Sequence, residues 1–143
     1  MNYQYDDGGR SEAGYKGETG DCVTRALAIA TGKPYQEVYS TINALAVSER
    51  HGKRKRGMSS ARTGVYKNTT RKYLVSLGWH WTPTMFIGQG CKVHLRADEL
   101  PMGRLIVSVS HHTVALIDGV IHDTHDPSRN GTRCVYGYWS LVQ

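Results

Sequence analysis

The chain has 143 residues and a formal charge of +6, from 18 Lys and Arg against 12 Asp and Glu, a length suited to one domain that buries about two-thirds of its unfolded surface. Its longest nearly apolar runs, Ala26 to Ala30 and Leu105 to Val109, fall far short of the roughly 18 residues that cross a bilayer, which excludes a membrane-spanning helix. Three cysteines, Cys22, Cys91 and Cys134, are odd in number, widely spaced and never arranged as C-x-x-C; the pattern points away from a disulfide scaffold or a zinc ribbon and toward a reducing, cytoplasmic compartment.

Residues 1–20 carry five glycines and almost no aliphatic side chain. They read as a flexible, irregular arm, without the basic start and apolar core of a secretory signal. A single domain is expected over residues 21–143. Asp21 is placed to cap a helix that begins at Cys22, in which Val23, Ala26, Leu27, Ala28, Ile29 and Ala30 leave little polar surface except Thr24 and Arg25. That composition predicts a buried central helix stopped at Gly32. Pro34 suits the first turn of a second helix, along which Tyr35, Val38, Tyr39, Ile42 and Leu45 recur at helical spacing.

From about residue 48 to 67 no apolar period survives and Gly, Ser, Arg and Lys dominate, the composition of a basic surface loop. Nine of the 18 basic residues lie between Arg50 and Lys72 with no acid among them, so the rest of the chain holds nine basic residues against 12 acidic ones. Any electrostatic case for nucleic acid rests on that belt alone. Asn68 is placed to cap a third helix running through Tyr73, Leu74 and Leu77 to Gly78. Strand signals follow: Trp79 and Trp81 before Pro83, then Gly103 to Ser108, then Thr113–Ile117 and Val120–Thr124 about an Asp118-Gly119 turn, and Cys134 to Trp139. Helices first and antiparallel strands afterwards predict the α+β class.

Cys22 is the candidate nucleophile. At the first turn of a helix its sulfur meets unpaired backbone N–H groups and the positive end of the dipole, which stabilise a thiolate. The hairpin supplies a partner. A two-residue Asp118-Gly119 turn pairs Ile117 with Val120, Leu116 with Ile121 and Ala115 with His122, and alternation then makes His112 and Asp123 diagonal neighbours. A one-residue slip hands the position to His111 instead. With Cys22 on a helix and His112 and Asp123 on adjacent strands, the imidazole can take the thiol proton while the carboxylate orients it.

The stretches G-D-C-V-T-R-A-L-A-I-A-T-G-K-P-Y-Q-E-V-Y and H-T-V-A-L-I-D-G-V-I-H-D-T resemble the papain-like cysteine peptidase superfamily, and more closely the small papain-like proteins encoded by bacteriophages and bacteria. The resemblance covers residues 15 to 45 and 103 to 140. It implies a papain-like fold, with the Cys helix packed on an antiparallel sheet, a Cys22, His112, Asp123 triad, a protein or peptide substrate and no cofactor. It also implies the host cytoplasm if the chain is phage-encoded. Where that superfamily carries an oxyanion Gln before the nucleophile, this chain has Glu18 and Thr19, so the Cys22 backbone N–H and the Thr19 hydroxyl are the expected donors. Peptidase, isopeptidase, deamidase and transglutaminase chemistry all remain open with this triad.

Two other readings compete. His112, Asp123 and His125 would share a face, enough for three metal ligands and an open position, although no H-E-x-x-H motif occurs. The segment R-H-G-K-R-K-R, with Lys53, Arg54, Lys55 and Arg56, can contact phosphate backbones or an acidic substrate, with Tyr66 and Tyr73 near enough in sequence to stack on bases. Trp79, Trp81 and Trp139 are expected in the core or a cleft wall, and Cys91 and Cys134 as packing residues.

Overall fold

In a computed structural model, residues 2–16, 20–49 and 58–141 are described. They form an α+β fold of three helices and one six-stranded mixed sheet. In chain order the elements are β1 (Tyr3–Tyr5), α1 (Cys22–Thr31), α2 (Tyr35–Val47), α3 (Lys67–Ser76), β2 (Trp79–Pro83), β3 (Arg104–Val109), β4 (His112–Ile117), β5 (Val120–Asp123) and β6 (Val135–Leu141). The sheet order is β1-β5-β4-β3-β6-β2. No helix among the described residues is long and apolar enough to cross a membrane.

The strands alternate between two apolar clusters, as a sheet covered on both faces requires. Ile106, Ala115 and Trp139 join the helices, meeting Leu27, Ala30, Val38, Ile42 and Leu74. Leu105, Val107, Val114, Leu116, Ile121 and Val135 pack with Leu95 and Leu100 of the segment between β2 and β3. Helix α1 is the central element: residues Thr24 to Ala30 are all buried, and it ends at Gly32, whose N–H donates to the Ala28 carbonyl at 3.0 Å. Truncating a side chain as enclosed as Leu27, with 0% exposure, typically costs about 2–5 kcal/mol.

The hairpin follows the register expected from its turn, with Ile117 opposite Val120, Leu116 opposite Ile121 and Ala115 opposite His122. Asp118 and Gly119 both adopt positive φ, 48° and 79°, the paired left-handed conformation that an Asp-Gly turn tolerates and most other pairs do not.

Several expectations need correction. The N-terminal arm is not irregular throughout. Tyr3–Tyr5 adds to the sheet edge as a strand parallel to β5, so the sheet is mixed and not purely antiparallel. Tyr15 stacks on Tyr39 at 4.5 Å between ring centroids. Asp21 precedes α1 but its carboxylate caps no backbone N–H. Tyr66, and not Asn68, precedes α3, leaving Asn68 in the first turn. The described part of the expected surface loop is pinned down: Ala61 is fully buried, its carbonyl accepts the Thr24 hydroxyl at 2.6 Å and its N–H donates to Asn43 at 2.9 Å. Finally, Cys91 and Cys134 form a disulfide, and only Cys22 is free. Cysteine count is blind to which residues the fold brings together, so the argument from cysteines to a reducing compartment does not hold.

Candidate active site

Cys22 is the first residue of α1 and is half-buried. His112 opens β4 and Asp123 closes β5. The backbone pairing of these two strands ends at Ala115 and His122, and in this open end of the sheet the His112 Nε2 meets the Asp123 Oδ2 at 2.6 Å. Cys22, the same His112 and Thr113 line one cleft, and the imidazole and the Thr113 backbone N–H both act to stabilise the Cys22 thiolate. With Nε2 committed to the carboxylate, Nδ1 is the ring nitrogen left for sulfur. His111 sits instead in the turn between β3 and β4 with φ of 57°, so the register selects His112 of the two adjacent histidines.

The charges around these groups favour a thiolate and an imidazolium. Burial pushes the Cys22 thiol up, but the hydrogen bond and charge of His112, the Thr113 N–H and the Arg25 guanidinium outweigh it and hold the thiol below its ordinary value. Burial pulls the His112 imidazole down, and the bonds and charges of Asp123 and Cys22 reverse that, lifting it from 6.5 to about 9. For Asp123 burial acts upward, and His112, the Thr124 N–H and Arg25 bring the carboxyl below its usual range. The three shifts have one physical origin, since each partner stabilises the charged form of the next.

Behind this trio lies an ion network that the sequence pattern did not reveal. Arg25, one turn along α1 from Cys22, lies 3.7 Å from the Asp123 Oδ1 and 3.4 Å from the Asp21 Oδ1, and donates to the Thr124 hydroxyl at 2.9 Å. Asp21 is 1% exposed; it also pairs with Arg10 at 3.4 Å and accepts the Tyr35 hydroxyl at 2.7 Å. The available signal was Arg25 itself, a guanidinium in an otherwise apolar helix, because a buried cation needs a buried anion. Asp21 therefore serves the network and not the helix end.

A cleft of about 800 Å³ opens over Cys22 and His112, walled by Val65, Trp81, Tyr136 and Trp139. Trp79 is core, and Trp139 belongs to both the core and the wall. A side chain at Gly137 has no room, since a Cβ there would come within 2.3 Å of the Trp81 ring. Two cations of the basic belt line the same cleft: the Lys67 ammonium stands 5.9 Å from the Tyr136 ring centroid and the Arg71 guanidinium 5.4 Å from that of Trp139. No carboxylate lines it among the described residues.

Glu18 and Thr19, the expected oxyanion support, and Lys53, Arg54, Lys55 and Arg56 of the basic loop lie outside the described residues. The alternative metal set is also brought together, with donor atoms of His112, Asp123 and His125 within 4.8 Å of one another. Its central imidazole, however, already has Asp123 on Nε2, and its other partner is the Cys22 thiol. No family model, curated protein or solved structure matches the chain.

Proposed function

We propose that this chain is a papain-like thiol hydrolase acting on a peptide, isopeptide or side-chain amide bond. One observation carries the reading: His112, bonded to Asp123, shares a cleft with Cys22, with the thiol held low and the imidazole raised. The Cys22 thiolate attacks the amide carbonyl carbon, and the electron pair of the C=O bond moves onto oxygen. The Cys22 backbone N–H, at the unpaired start of α1, is suited to receive that oxyanion. Collapse breaks the C–N bond, the His112 Nδ1–H gives its proton to the leaving amine, and a thioester remains on Cys22. Water then attacks the thioester as Nδ1 takes its proton, releasing the acid and restoring the thiolate. An amine in place of water gives transfer, by the same steps.

The position of Lys67 and Arg71 in the cleft wall favours substrate contact as the role of the belt's described end, over a separate nucleic-acid surface. The metal reading competes for the same imidazole, and its bond to Asp123 together with its coupling to the Cys22 thiol favours the thiol mechanism.

The test combines an electrophilic thiol probe with an amide or isopeptide reporter. Cys22 should label rapidly at neutral pH in wild type, slowly in the His112→Ala variant and not at all in Cys22→Ala. Turnover should survive chelators and His125→Ala and vanish with Cys22→Ala. Chelator-sensitive turnover that tolerates Cys22→Ala would overturn the proposal in favour of a metal-dependent hydrolase.

A further inference from the structure

A second cluster lies away from the cleft, where the segment between β2 and β3 meets the start of β6. Donor atoms of Cys91, His94 and Cys134 lie within 4.8 Å of one another, all three side chains half-buried. The His94 Nε2 is 3.5 Å from the Cys91 sulfur, while its Nδ1 is 3.2 Å from the Glu99 carboxylate, which also accepts the His94 backbone N–H at 3.2 Å. Backbone bonds fix the two segments independently of the sulfurs: the Leu95 N–H donates to the Arg133 carbonyl and the Val135 N–H to the Val93 carbonyl, both at 2.8 Å. Leu95 and Val135 are fully buried beneath them.

A disulfide has no need of an imidazole aimed at its sulfur, nor of a carboxylate that fixes the imidazole's tautomer. A thiophilic metal makes use of both, since a ligating histidine commonly donates its other N–H to a carboxylate. We infer that the reduced form of this cluster is a Zn²⁺ site, with Cys91 Sγ, His94 Nε2 and Cys134 Sγ as ligands and the fourth position open to water. The disulfide and the metal site are alternative states of one clamp. Two molecules of a small monothiol of the glutathione class supply two electrons and two protons, their two thiols joining as a disulfide as Cys91 and Cys134 become thiols. Zn²⁺ then displaces both thiol protons and binds two thiolates. In either state the clamp ties the segment between β2 and β3 to the start of the strand that carries Tyr136 and Trp139 to the cleft.

The experiment is a Co²⁺ titration of the full chain, reduced with a phosphine and followed by thiolate-to-metal charge-transfer absorption, with Zn²⁺ displacing the Co²⁺. The Cys22→Ala chain decides which thiolates bind, because Cys91 and Cys134 are then the only cysteines left. Expected are one equivalent of tetrahedral Co²⁺ in wild type and in Cys22→Ala, and no charge-transfer band in the oxidised protein. Affinity should fall by at least about tenfold in His94→Ala and by about 10–100-fold in Glu99→Gln, with circular dichroism confirming that each variant is folded. A reduced Cys22→Ala chain with both thiols titratable but no charge-transfer band would overturn the inference. So would a band that folded His94→Ala retains at full affinity.

Discussion

Replacing Arg25 by Met keeps a long apolar stem on α1 and removes the charge between two buried carboxylates. Asp21 and Asp123 have side chains 0% and 4% exposed, and the Arg25 side chain between them is 9% exposed. Removing one member of such a buried pair costs about 3–5 kcal/mol, because the surviving charge stays desolvated. The low end applies here. Asp21 keeps Arg10 at 3.4 Å and the Tyr35 hydroxyl at 2.7 Å, and Asp123 keeps His112 at 2.6 Å. The expected loss is therefore about 3 kcal/mol, or about 10 °C in Tm for a chain of this size, read by urea and thermal unfolding at neutral pH. If stranded charge is the cause, the double variant Arg25→Met/Asp21→Asn should recover part of that loss, a departure from additivity that a cavity does not produce. Arg25 also helps to hold the Cys22 thiol low, so the pH at which Cys22 becomes half-alkylatable should rise in Arg25→Met. A single-variant cost below about 1 kcal/mol, or a double variant less stable than the single, would refute the network argument.

Two further outcomes are expected. If the proposed mechanism holds, amide turnover should fall as pH rises through about 9, where His112 loses its proton, and should persist on the acid side to pH values below the ordinary thiol range. Asp123→Asn should draw the alkaline limb downward, and a pH–rate profile unmoved by that change would exclude the assigned pairing. Replacing Lys67 and Arg71 by Gln should raise KM for an acidic peptide reporter, by up to about fivefold per charge at surface-like values of about 1 kcal/mol. A neutral reporter should be unaffected, and equal losses on both reporters would remove charge recognition from the role of the cleft.

The parts of the molecule written in local pattern were legible from sequence. The Asp118-Gly119 turn and the alternation around it fix a register, and with it the choice of His112 over His111. The apolar run after Cys22 marks a buried helix. What escaped were couplings between distant segments. Arg25 and Thr124 are 99 positions apart, so although Arg25, four residues after Asp21, was a local sign of a buried anion, nothing in the chain announced that the network would reach across to the end of β5. Cys91 and Cys134 are 43 apart and carry no spacing signal. Strand β1 was invisible for another reason: Tyr3, Gln4 and Tyr5 are all exposed, and an edge strand with no buried face leaves no alternation to detect.

The arm that begins with β1 touches both halves of the candidate site. Through β1 and the bond from the Asp6 N–H to the Asp123 carbonyl at 2.9 Å, it braces the strand that carries the carboxylate. A few residues on, Arg10 reaches Asp21 at the foot of the Cys22 helix. Gly8, with φ of 70°, passes so close to α1 that a Cβ there would lie 3.1 Å from the Arg25 carbonyl. Only glycine meets both conditions without strain. The Cys22 thiol and the Asp123 carboxylate sit on separate elements, so their separation is set by whatever holds the helix start against β5. The arm does so from one side and Arg25 from the other, with the His112 imidazole bonded to Asp123 between them.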